Sequence, residues 1–263
     1  MQLDGKVVAV TGAGNGIGRQ TALRLLEREA RVALIDVKED WLQQTRALAG
    51  QRASRVSLHV ADVTDVAAVN ALPAAVVAEH GQLDALINVA GIIHTFAPVT
   101  DLERSRIERV VQVNFWGTVN MCLAFLPELR QRPQAGLVNV ASLSALIPFA
   151  GQTVYSATKG AVKQFSEGLY QELSGTNVAV TTVFPGNIST DLTGNSGVTM
   201  IDSGDRKVPV TTPEQTAEHI VAGLEKGSFR VLVGRDAKLL DRLVRLAPRR
   251  ATDLIAKQMK SVL

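Results

Sequence analysis

The sequence contains little from which a disulfide framework or a metal centre could be built. Cys122 is the only cysteine, so a disulfide within the chain and a site made of several thiolates are excluded. The four histidines lack the spacing of a ligand set, and we expect no metal. We find no apolar run that approaches the ~20 residues of a membrane span, and no charged leader followed by an apolar stretch at the N-terminus. These absences predict a cytoplasmic protein.

The chain also lacks the strong positive charge of a nucleic-acid-binding protein. Its formal net charge is +3, and residues 235–263 alone carry eight basic and three acidic residues, so the positive charge is concentrated in this tail. We therefore expect no nucleic-acid partner for the rest of the chain. An apolar fraction of 46% is typical of a globular protein with a sizeable core. No change in composition marks a boundary before the tail, which predicts a single domain over residues 1–234.

Seven short apolar runs alternate with longer helical patterns. The runs begin at Val7, Arg31, Arg55, Leu83, Gly136, Val178 and Arg230. Runs that are apolar on consecutive positions are typical of strands buried on both faces of a parallel sheet. Helices are predicted near residues 16–29, 40–49, 65–80, 101–130, 152–174 and 213–226, with Asp101 and Thr212 as N-cap residues. The alternation predicts an α/β fold, a Rossmann-type doubly wound parallel sheet of about seven strands with helices on both faces.

A glycine-rich stretch, VTGAGNGIGRQ at residues 10–20, directly follows the first apolar run. Glycine is costly to order, so this density favours either a tight turn or the close approach of a ligand. Between a strand and a helix, the helix amides and dipole attract a phosphate group. The spacing Gly12-x-x-x-Gly16-x-Gly18 differs from the common G-x-G-x-x-G pattern. A glycine turn without a ligand therefore stays open as an alternative.

An acidic residue, Asp36, ends the second predicted strand. A carboxylate at this place can accept hydrogen bonds from both ribose hydroxyls of an adenosine and repels a 2′-phosphate. The residue therefore predicts NAD rather than NADP. Lys38 offsets part of that repulsion, and a solvated aspartate at a strand end is the alternative interpretation.

Tyr155 and Lys159 lie four residues apart in the stretch YSATK, on one face of a predicted helix. A free tyrosine has a pKa of about 10, and a nearby ammonium lowers it by favouring the phenolate. Ser142 stands at the predicted carboxyl end of the fifth strand and faces the same crevice. The group can carry out acid–base chemistry, although two residues on a hydrated helix face would give the same pattern.

In this order and spacing, the motifs resemble those of the short-chain dehydrogenase/reductase family. The shared motifs are TGAGNGIG at 11–18, DV at 62–63, NVAG at 88–91, Asn114 within VNFWG, Ser142, YSATK at 155–159, and PG at 185–186 followed by IST. The resemblance implies four catalytic residues. Tyr155 would exchange a proton with the substrate oxygen, Ser142 would orient that oxygen, and Lys159 would bind the nicotinamide ribose and lower the tyrosine pKa. Asn114 would hold a water that connects Lys159 to solvent.

The resemblance also implies an NAD-binding catalytic domain over residues 1–234, with a substrate loop at about 186–210. Asn15 and Ile17 would contact the cofactor from the glycine loop, Asp62 and Val63 would contact adenine, and Ile188 and Thr190 would contact the nicotinamide amide. The full expected cofactor set is Gly12, Asn15, Gly16, Ile17, Gly18, Asp36, Asp62, Val63, Asn88, Ala90, Gly91, Tyr155, Lys159, Pro185, Gly186, Ile188 and Thr190.

The expected reaction is hydride transfer between a secondary alcohol or ketone and the nicotinamide, with Tyr155 as general acid and base. An epimerase or dehydratase on the same fold, or a catalytically silent cofactor-sensing protein, are the alternatives. Apolar residues in the loops after the fourth and fifth strands suggest a lipophilic substrate, unless they only pack the loops together: Ile92, Ile93, Phe96, Leu146, Ile147 and Phe149. His94 would either bind a polar end of the substrate or lie on the surface.

The chain departs from the family pattern in two places. Val89 stands where the family usually has a second asparagine, a mild change because Asn88 remains. The chain also lacks the glycine-rich ending of tetrameric members, so a homodimer and a homotetramer both stay open. Residues 235–263 instead have the pattern of a basic amphipathic helix, a proline break and a second helix. This tail is compatible with three roles: packing on its own or a partner subunit, peripheral contact with an anionic membrane, or closure over the substrate.

Overall fold

Seven parallel strands form the centre of the molecule. The computed structural model describes residues 1–188 and 210–259. Its strands are β1 Val7–Thr11, β2 Arg31–Asp36, β3 Val56–Val60, β4 Ala85–Asn88, β5 Ala135–Val140, β6 Val178–Pro185 and β7 Arg230–Val233. They pair in the order β3-β2-β1-β4-β5-β6-β7, all in parallel. The predicted Rossmann-type sheet is therefore confirmed.

Helices cover both faces of this sheet. They are α1 Gly16–Glu27, α2 Glu39–Leu48, α3 Val66–His80, α4 Arg104–Val111, α5 Gly117–Arg130, α6 Thr153–Glu172, α7 Pro213–Lys226, α8 Arg235–Leu246 and α9 Pro248–Met259. Alternate strand residues point to opposite faces, and two apolar cores result. Val7 and Ala9 pack against α3, α5 and α6, whereas Val8 and Val10 pack against α1 and α7.

The two predicted N-cap residues have different outcomes. Thr212 caps α7 as predicted: its hydroxyl accepts from the Gln215 amide at 3.2 Å, and the Gln215 side chain accepts from the Thr212 amide. The prediction for Asp101 is wrong. Asp101 ends a short separate turn, and α4 begins only at Arg104 because Leu102 and Glu103 have extended backbone.

The helix predicted over residues 101–130 contains a widened turn. Residues Gln112–Trp116 form a π-helical turn between α4 and α5, and such turns often lie at functional sites. Contrary to the expectation from sequence, the helical stretch Arg104–Arg130 contains an 18-residue window with a mean hydropathy of 1.2. Half of that window is buried inside the protein, as in the core helix of a globular domain.

The C-terminal helices α8 and α9 pack on the body of the same chain. Ala237, Ala251 and Ile255 are buried in a small apolar cluster with Leu143 and Ile147, which follow β5. This packing corresponds to the first of the three expectations for the tail. On its other side α8 keeps two leucines in solvent, Leu239 and Leu246, which are 67% and 85% exposed.

A buried carboxylate connects three elements at the amino end of the sheet. Asp84, just before β4, is completely buried and accepts a hydrogen bond from the Val7 amide of β1 at 2.9 Å. Arg132, which follows α5, donates to the same carboxylate at 2.9 Å, and the Lys6 ammonium lies 3.5 Å away. Because Asp84 is buried, water cannot replace these partners if one of them is lost. The network therefore stabilises the amino end of the sheet.

We predict that Asp84→Ala lowers the free energy of unfolding by about 2–4 kcal/mol, because it leaves partly buried cations and a buried amide without their acceptor. Urea unfolding followed by circular dichroism measures the change. Glu108→Ala is the matched control, since it removes a carboxylate from an exposed ion pair with Arg104 and is expected to cost about 0.5 kcal/mol. Equal effects of the two substitutions would contradict the structural role of Asp84.

Candidate active site

Those predicted site residues that lie within the described part of the chain come together at the carboxyl ends of the strands. Thr11, Asp36, Asn88, Val140 and Pro185 are the last residues of β1, β2, β4, β5 and β6, so the segments that follow them start side by side. Between β1 and β4 the order of the strands reverses, and doubly wound sheets bind ligands in the crevice at such a point. The candidate site therefore lies where the fold favours a ligand.

Two of the loop glycines are required by the fold itself. Gly12 has a φ of +66°, and a Cβ on it would lie 3.1 Å from the Ala90 main chain. A Cβ on Gly18 would overlap the Gly12 carbonyl. These contacts explain both glycines as features of a tight turn, one of the alternatives left open by the sequence.

The start of α1 nevertheless fits an anionic group. The Asn15 side chain caps the helix by accepting from the Gly16 amide at 2.7 Å. Within the described part of the chain, the amides of Ile17 and Gly18 have no hydrogen-bond acceptor. First-turn amides at the positive end of a helix bind phosphate groups. The cradle therefore fits the diphosphate of a dinucleotide.

Asp36 faces the glycine loop. Its carboxylate accepts from the Gly14 amide at 3.0 Å and from the Lys38 amide at 3.2 Å, and the side chain is half-buried. The Lys38 ammonium lies 3.8 Å from the centre of the Trp41 ring. Asp36 is thus held at the end of β2, where a carboxylate can reach an adenosine ribose.

Arg19, which the sequence motifs do not single out, lies next to Asp36. Its guanidinium donates to the Gly14 carbonyl, to Thr45 Oγ1 at 3.1 Å and to Gln44 Oε1 at 3.2 Å. Burial lowers the pKa of Arg19, and attraction to Asp36 acts in the opposite direction. Its place directly after Gly18 is the only sequence signal for this residue.

Asp62 and Val63 follow β3 at the same edge. Asp62 accepts hydrogen bonds from the Thr64 amide at 2.9 Å, the Thr64 hydroxyl at 2.7 Å and Arg109 at 3.1 Å. Burial acts to raise the pKa of Asp62, but these hydrogen bonds outweigh it and the pKa is lowered. The Val63 carbonyl accepts from Asn120 at 3.1 Å. Asp62 is therefore a fixed, ionised acceptor.

The side chain of Asn88 points into the core. It donates to Asn139 Oδ1 at 2.9 Å and to Cys122 Sγ at 3.5 Å. Its own Oδ1 has no partner among the described residues. The amides of Val89 and Ala90 donate to the Thr11 hydroxyl at 3.0 and 3.1 Å. The NVAG segment thus joins β4 to β1, and the Asn88 side chain is turned away from a ligand at this end of the sheet.

Lys159 carries a buried positive charge at the end of β5. The residue is 4% exposed, and its ammonium donates to the Val140 carbonyl at 3.0 Å. A Cβ on Gly91 would lie 3.3 Å from this ammonium, so glycine leaves the room it occupies. Burial lowers the pKa of Lys159 to about 8, which leaves the group mostly charged at neutral pH.

Tyr155 lies one helical turn before Lys159, and the Lys159 ammonium is 6.0 Å from the centre of its ring. Burial raises the pKa of Tyr155, whereas a hydrogen bond with the Ser142 hydroxyl lowers it. Ser142 also accepts from the Ser144 amide at 3.1 Å. The structure thus brings the predicted serine, tyrosine and lysine together.

Asn114 lies in the π-helical turn and is completely buried. Its side chain accepts from the Ile92 amide at 2.8 Å and donates to the Ile92 carbonyl at 3.0 Å. It also donates to Thr158 Oγ1 at 3.1 Å, and Thr158 lies beside Lys159 in α6. Asn114 therefore connects the segment after β4 to the helix that carries Tyr155 and Lys159.

The segment after β6 contacts the C-terminal helices. A Cβ on Gly186 would overlap the carboxylate of Asp236 in α8, and the same carboxylate accepts from the Asn187 amide at 3.0 Å. Ile188 pairs with Thr211 in an isolated bridge. Thr190 and residues 189–209 of the expected substrate loop lie outside the described residues.

Both interpretations of His94 from sequence are wrong. The residue is fully buried, and its two ring nitrogens contact the Thr95 carbonyl and the Tyr155 amide. It therefore neither lies on the surface nor offers a ring nitrogen to a substrate. Ile147 is buried against the C-terminal helices, with Leu146 and Phe149 packed around it.

Comparisons with known proteins agree on the family. Residues 6–200 match the sequence profile described as short chain dehydrogenase. The chain is 41% identical over 252 residues to the oxidoreductase SadH of Mycobacterium tuberculosis, with 92% of this chain and 91% of SadH covered. It is 31% identical over 229 residues to an uncharacterized oxidoreductase of Staphylococcus saprophyticus, covering 87% and 94% of the two chains. The chain belongs to the short-chain dehydrogenase/reductase family.

Solved structures show the same fold. A short chain dehydrogenase/reductase from Burkholderia phymatum in complex with NAD has a TM-score of 0.84 at 23% identity, with 95% of this chain and 96% of that chain covered. A short chain dehydrogenase from Burkholderia cenocepacia in complex with NADP has a TM-score of 0.82 at 27% identity, covering 97% and 99%. The protein is therefore an oxidoreductase of a family that binds nicotinamide cofactors, and its relatives include complexes with both dinucleotides.

We predict that Cys122 does not react with thiol reagents in the folded protein. It is completely buried beneath Asn88 and Asn139, and burial raises the pKa of its thiol to about 12 against the opposing effect of these hydrogen bonds. The reaction is measured at pH 8 with an aromatic disulfide reagent, from the absorbance of the aromatic thiolate that it releases when a cysteine reacts. Ala78→Cys, at an exposed position of α3, is the control and should add one fast-reacting thiol. Rapid labelling of the unmodified native protein would contradict this packing.

Proposed function

We propose that this protein is an NAD-dependent dehydrogenase or ketone reductase that acts on a lipophilic secondary alcohol or ketone. The observation that carries the proposal is the buried ammonium of Lys159, 3.0 Å from the Val140 carbonyl and one helical turn from the Tyr155 phenol. Among residues 1–188 and 210–259 the Lys159 ammonium has no carboxylate partner, and burial of a charge without one is unfavourable, so a structural role alone does not account for it. An acid–base role for Tyr155 accounts for it.

The phenol of Tyr155 is the group that exchanges a proton with the substrate oxygen. Burial is the larger effect and raises the pKa of the phenol, whereas the hydrogen bond with the Ser142 hydroxyl lowers it. The neutral phenol is the favoured form and can give its proton to a substrate oxygen; Ser142 and the Lys159 charge, 6.0 Å from the ring, then stabilise the phenolate, as a general acid and base requires. Ser142 orients the substrate oxygen beside the phenol.

Lys159 and Asn114 support this proton transfer from the side of α6. Lys159 keeps the positive charge in place and is the residue that would hold the nicotinamide ribose. Asn114, through Thr158 and Ile92, fixes the relative position of α6 and the segment after β4. When bound, the nicotinamide supplies the hydride acceptor or donor, and the protein supplies orientation and charge.

The preference for NAD rests on Asp36. Its carboxylate is fixed by the Gly14 amide, and a 2′-phosphate at that place would be repelled. Arg19 and Lys38 are the cations nearby, but Nε and Nη2 of Arg19 donate to Gly14, Thr45 and Gln44, and the Lys38 ammonium lies over Trp41. We therefore assign NAD as the cofactor.

The lipophilic substrate is proposed from the residues beside Ser142. Leu143 and Ile147, which follow it, are buried against α8 and α9 and pack the loop, whereas Leu146 and Phe149 are only partly buried beside them. Partly buried apolar side chains next to the reacting oxygen favour a substrate whose carbon chain leaves water. Assembly as a homodimer or homotetramer in the cytoplasm stays a prediction. So does contact of the exposed Leu239 and Leu246 with an anionic membrane.

We predict that Tyr155→Phe lowers kcat by about 10²–10⁴-fold, because only the transferable proton is removed. The dissociation constant for NADH, measured by fluorescence, is expected to stay unchanged. Tyr170→Phe is the matched control, since it removes a hydroxyl from an exposed tyrosine of the same helix. Turnover retained in Tyr155→Phe would refute the assigned role.

We predict that Asp36→Ala reduces the preference for NAD over NADP by about tenfold or more, since a hydrogen bond to a charged group contributes about 1.5–3 kcal/mol. Steady-state kinetics with both cofactors give the ratio of their kcat/KM values. Asp40→Ala, an exposed carboxylate near the start of α2, is the control. An unchanged ratio in Asp36→Ala would show that another group discriminates between the cofactors.

A further inference from the structure

The helix that carries Tyr155 lacks a cap from its own sequence. Helix α6 begins at Thr153, and the preceding Gln152 makes no side-chain hydrogen bond to the first turn. The first amides of a helix have no partner within the helix and need an acceptor from elsewhere. The amide of Tyr155 is one of these first-turn amides, so the position of the tyrosine depends on what accepts its hydrogen.

His94 supplies this acceptor. Its Nε2 accepts the hydrogen bond from the Tyr155 amide at 3.3 Å. The residue comes from the segment after β4, 61 positions away in the chain, and is completely buried. The hydrogen bond is therefore a tertiary contact between two distant segments, made at the residue that carries the reactive phenol.

We propose that His94 is a positioning residue that fixes the phenol of Tyr155 by capping the first turn of α6 as a neutral imidazole. This proposal rests on the acid–base role proposed for Tyr155. It assigns a function to a histidine that touches neither the substrate nor the cofactor.

The hydrogen bonds of the ring define its tautomer. A main-chain carbonyl can only accept, so the 2.7 Å contact between Nδ1 and the Thr95 carbonyl places the hydrogen on Nδ1. The backbone amide of Tyr155 can only donate, so Nε2 carries no hydrogen. A doubly protonated ring could not accept this bond, and its charge would face the positive end of the α6 dipole.

Two further hydrogen bonds hold the two segments together, and a third joins the segment after β4 to helix α4. Gln152 Nε2 donates to the His94 carbonyl at 2.7 Å, and the Ala97 amide donates to the Gly151 carbonyl at 3.2 Å. Arg106 in α4 donates to the Ile93 carbonyl at 2.8 Å. The segment that carries His94 is therefore fixed on both sides, and the cap is part of a rigid connection rather than a single contact.

The consequence for the reaction follows from the geometry of α6. Tyr155 must keep its hydrogen bond with Ser142 on one side and its distance to Lys159 on the other. Loss of the cap would let the first turn of α6 fray. A displacement of about 1 Å at a reacting group can reduce the rate by about 10²-fold.

The test compares two substitutions of His94. His94→Leu removes the acceptor at similar volume, whereas the oxygen of His94→Gln reaches about as far as Nε2 and can accept the same hydrogen bond. We expect kcat to fall by about 10-fold to 100-fold in His94→Leu, with an unchanged dissociation constant for NADH, and to recover most of its value in His94→Gln. If His94→Leu does not fold, as judged by circular dichroism, His94→Met takes its place. Equal kcat values in all variants would overturn the proposal.

His59→Leu is the matched control for burial. His59 is also a buried histidine with a protein partner, Ser57 at 2.7 Å, but it lies in the edge strand β3. Its replacement is expected to lower stability and to leave kcat unchanged. A fall in kcat as large as that of His94→Leu would show that general destabilisation, not positioning, causes the effect.

A second readout does not need turnover. The chain has only two tyrosines, so in a Tyr170→Phe background the ultraviolet absorbance of tyrosinate reports Tyr155 alone. We expect His94→Leu to lower the midpoint of this titration, because fraying of the first turn exposes the phenol and burial is the larger cause of its raised pKa, and His94→Gln to restore it. A midpoint in His94→Leu that is unchanged would overturn the positioning role. Absence of turnover in the unmodified protein would instead count against the proposed function and leave this titration interpretable.

Discussion

The ammonium of Lys159 is the charge on which the arrangement of the site depends. Among the described residues it contacts the Val140 carbonyl at 3.0 Å, and burial lowers its pKa to about 8 because one carbonyl replaces water only in part. The ammonium lies beside the carboxyl end of β5, in space that is open because Gly91 has no side chain. Keeping a charge under these conditions is unfavourable for folding, and the acid–base reaction that we propose beside it accounts for the charge.

The surrounding structure keeps this charge and the Tyr155 phenol in a fixed relation. The π-helical turn orients Asn114 towards both Ile92 and Thr158, so that the segment after β4 and helix α6 cannot move independently. The same segment supplies the capping histidine one turn earlier in the helix. The apolar cluster of α8 and α9 covers the chain directly after Ser142. Asn114 and Tyr155 are thus each held by a contact with a segment that follows a different strand.

Much of the fold could be predicted from the sequence, because buried parallel strands leave an apolar run and the glycine and YSATK motifs have fixed spacing. Features that depend on tertiary contacts could not. The helical periodicity around Asn114 does not distinguish a π-helical turn from an α-helix, and extended backbone at Leu102 displaced the start of α4. No local pattern shows that the side chain of Asn88 turns into the core, or that His94 is buried against a helix 61 residues later. These contacts depend on which strand ends become neighbours.

The most direct test of the central claim is isotope transfer from a carbinol carbon to the cofactor. The protein is incubated with NAD⁺ and a panel of lipophilic secondary alcohols that carry deuterium on the carbinol carbon, and the reduced cofactor is analysed by mass spectrometry. We expect deuterium in the reduced nicotinamide, with one ketone formed per deuterium transferred. Epimerisation or dehydration of the alcohol, with the cofactor left oxidised and free of deuterium, would contradict the proposed dehydrogenase activity.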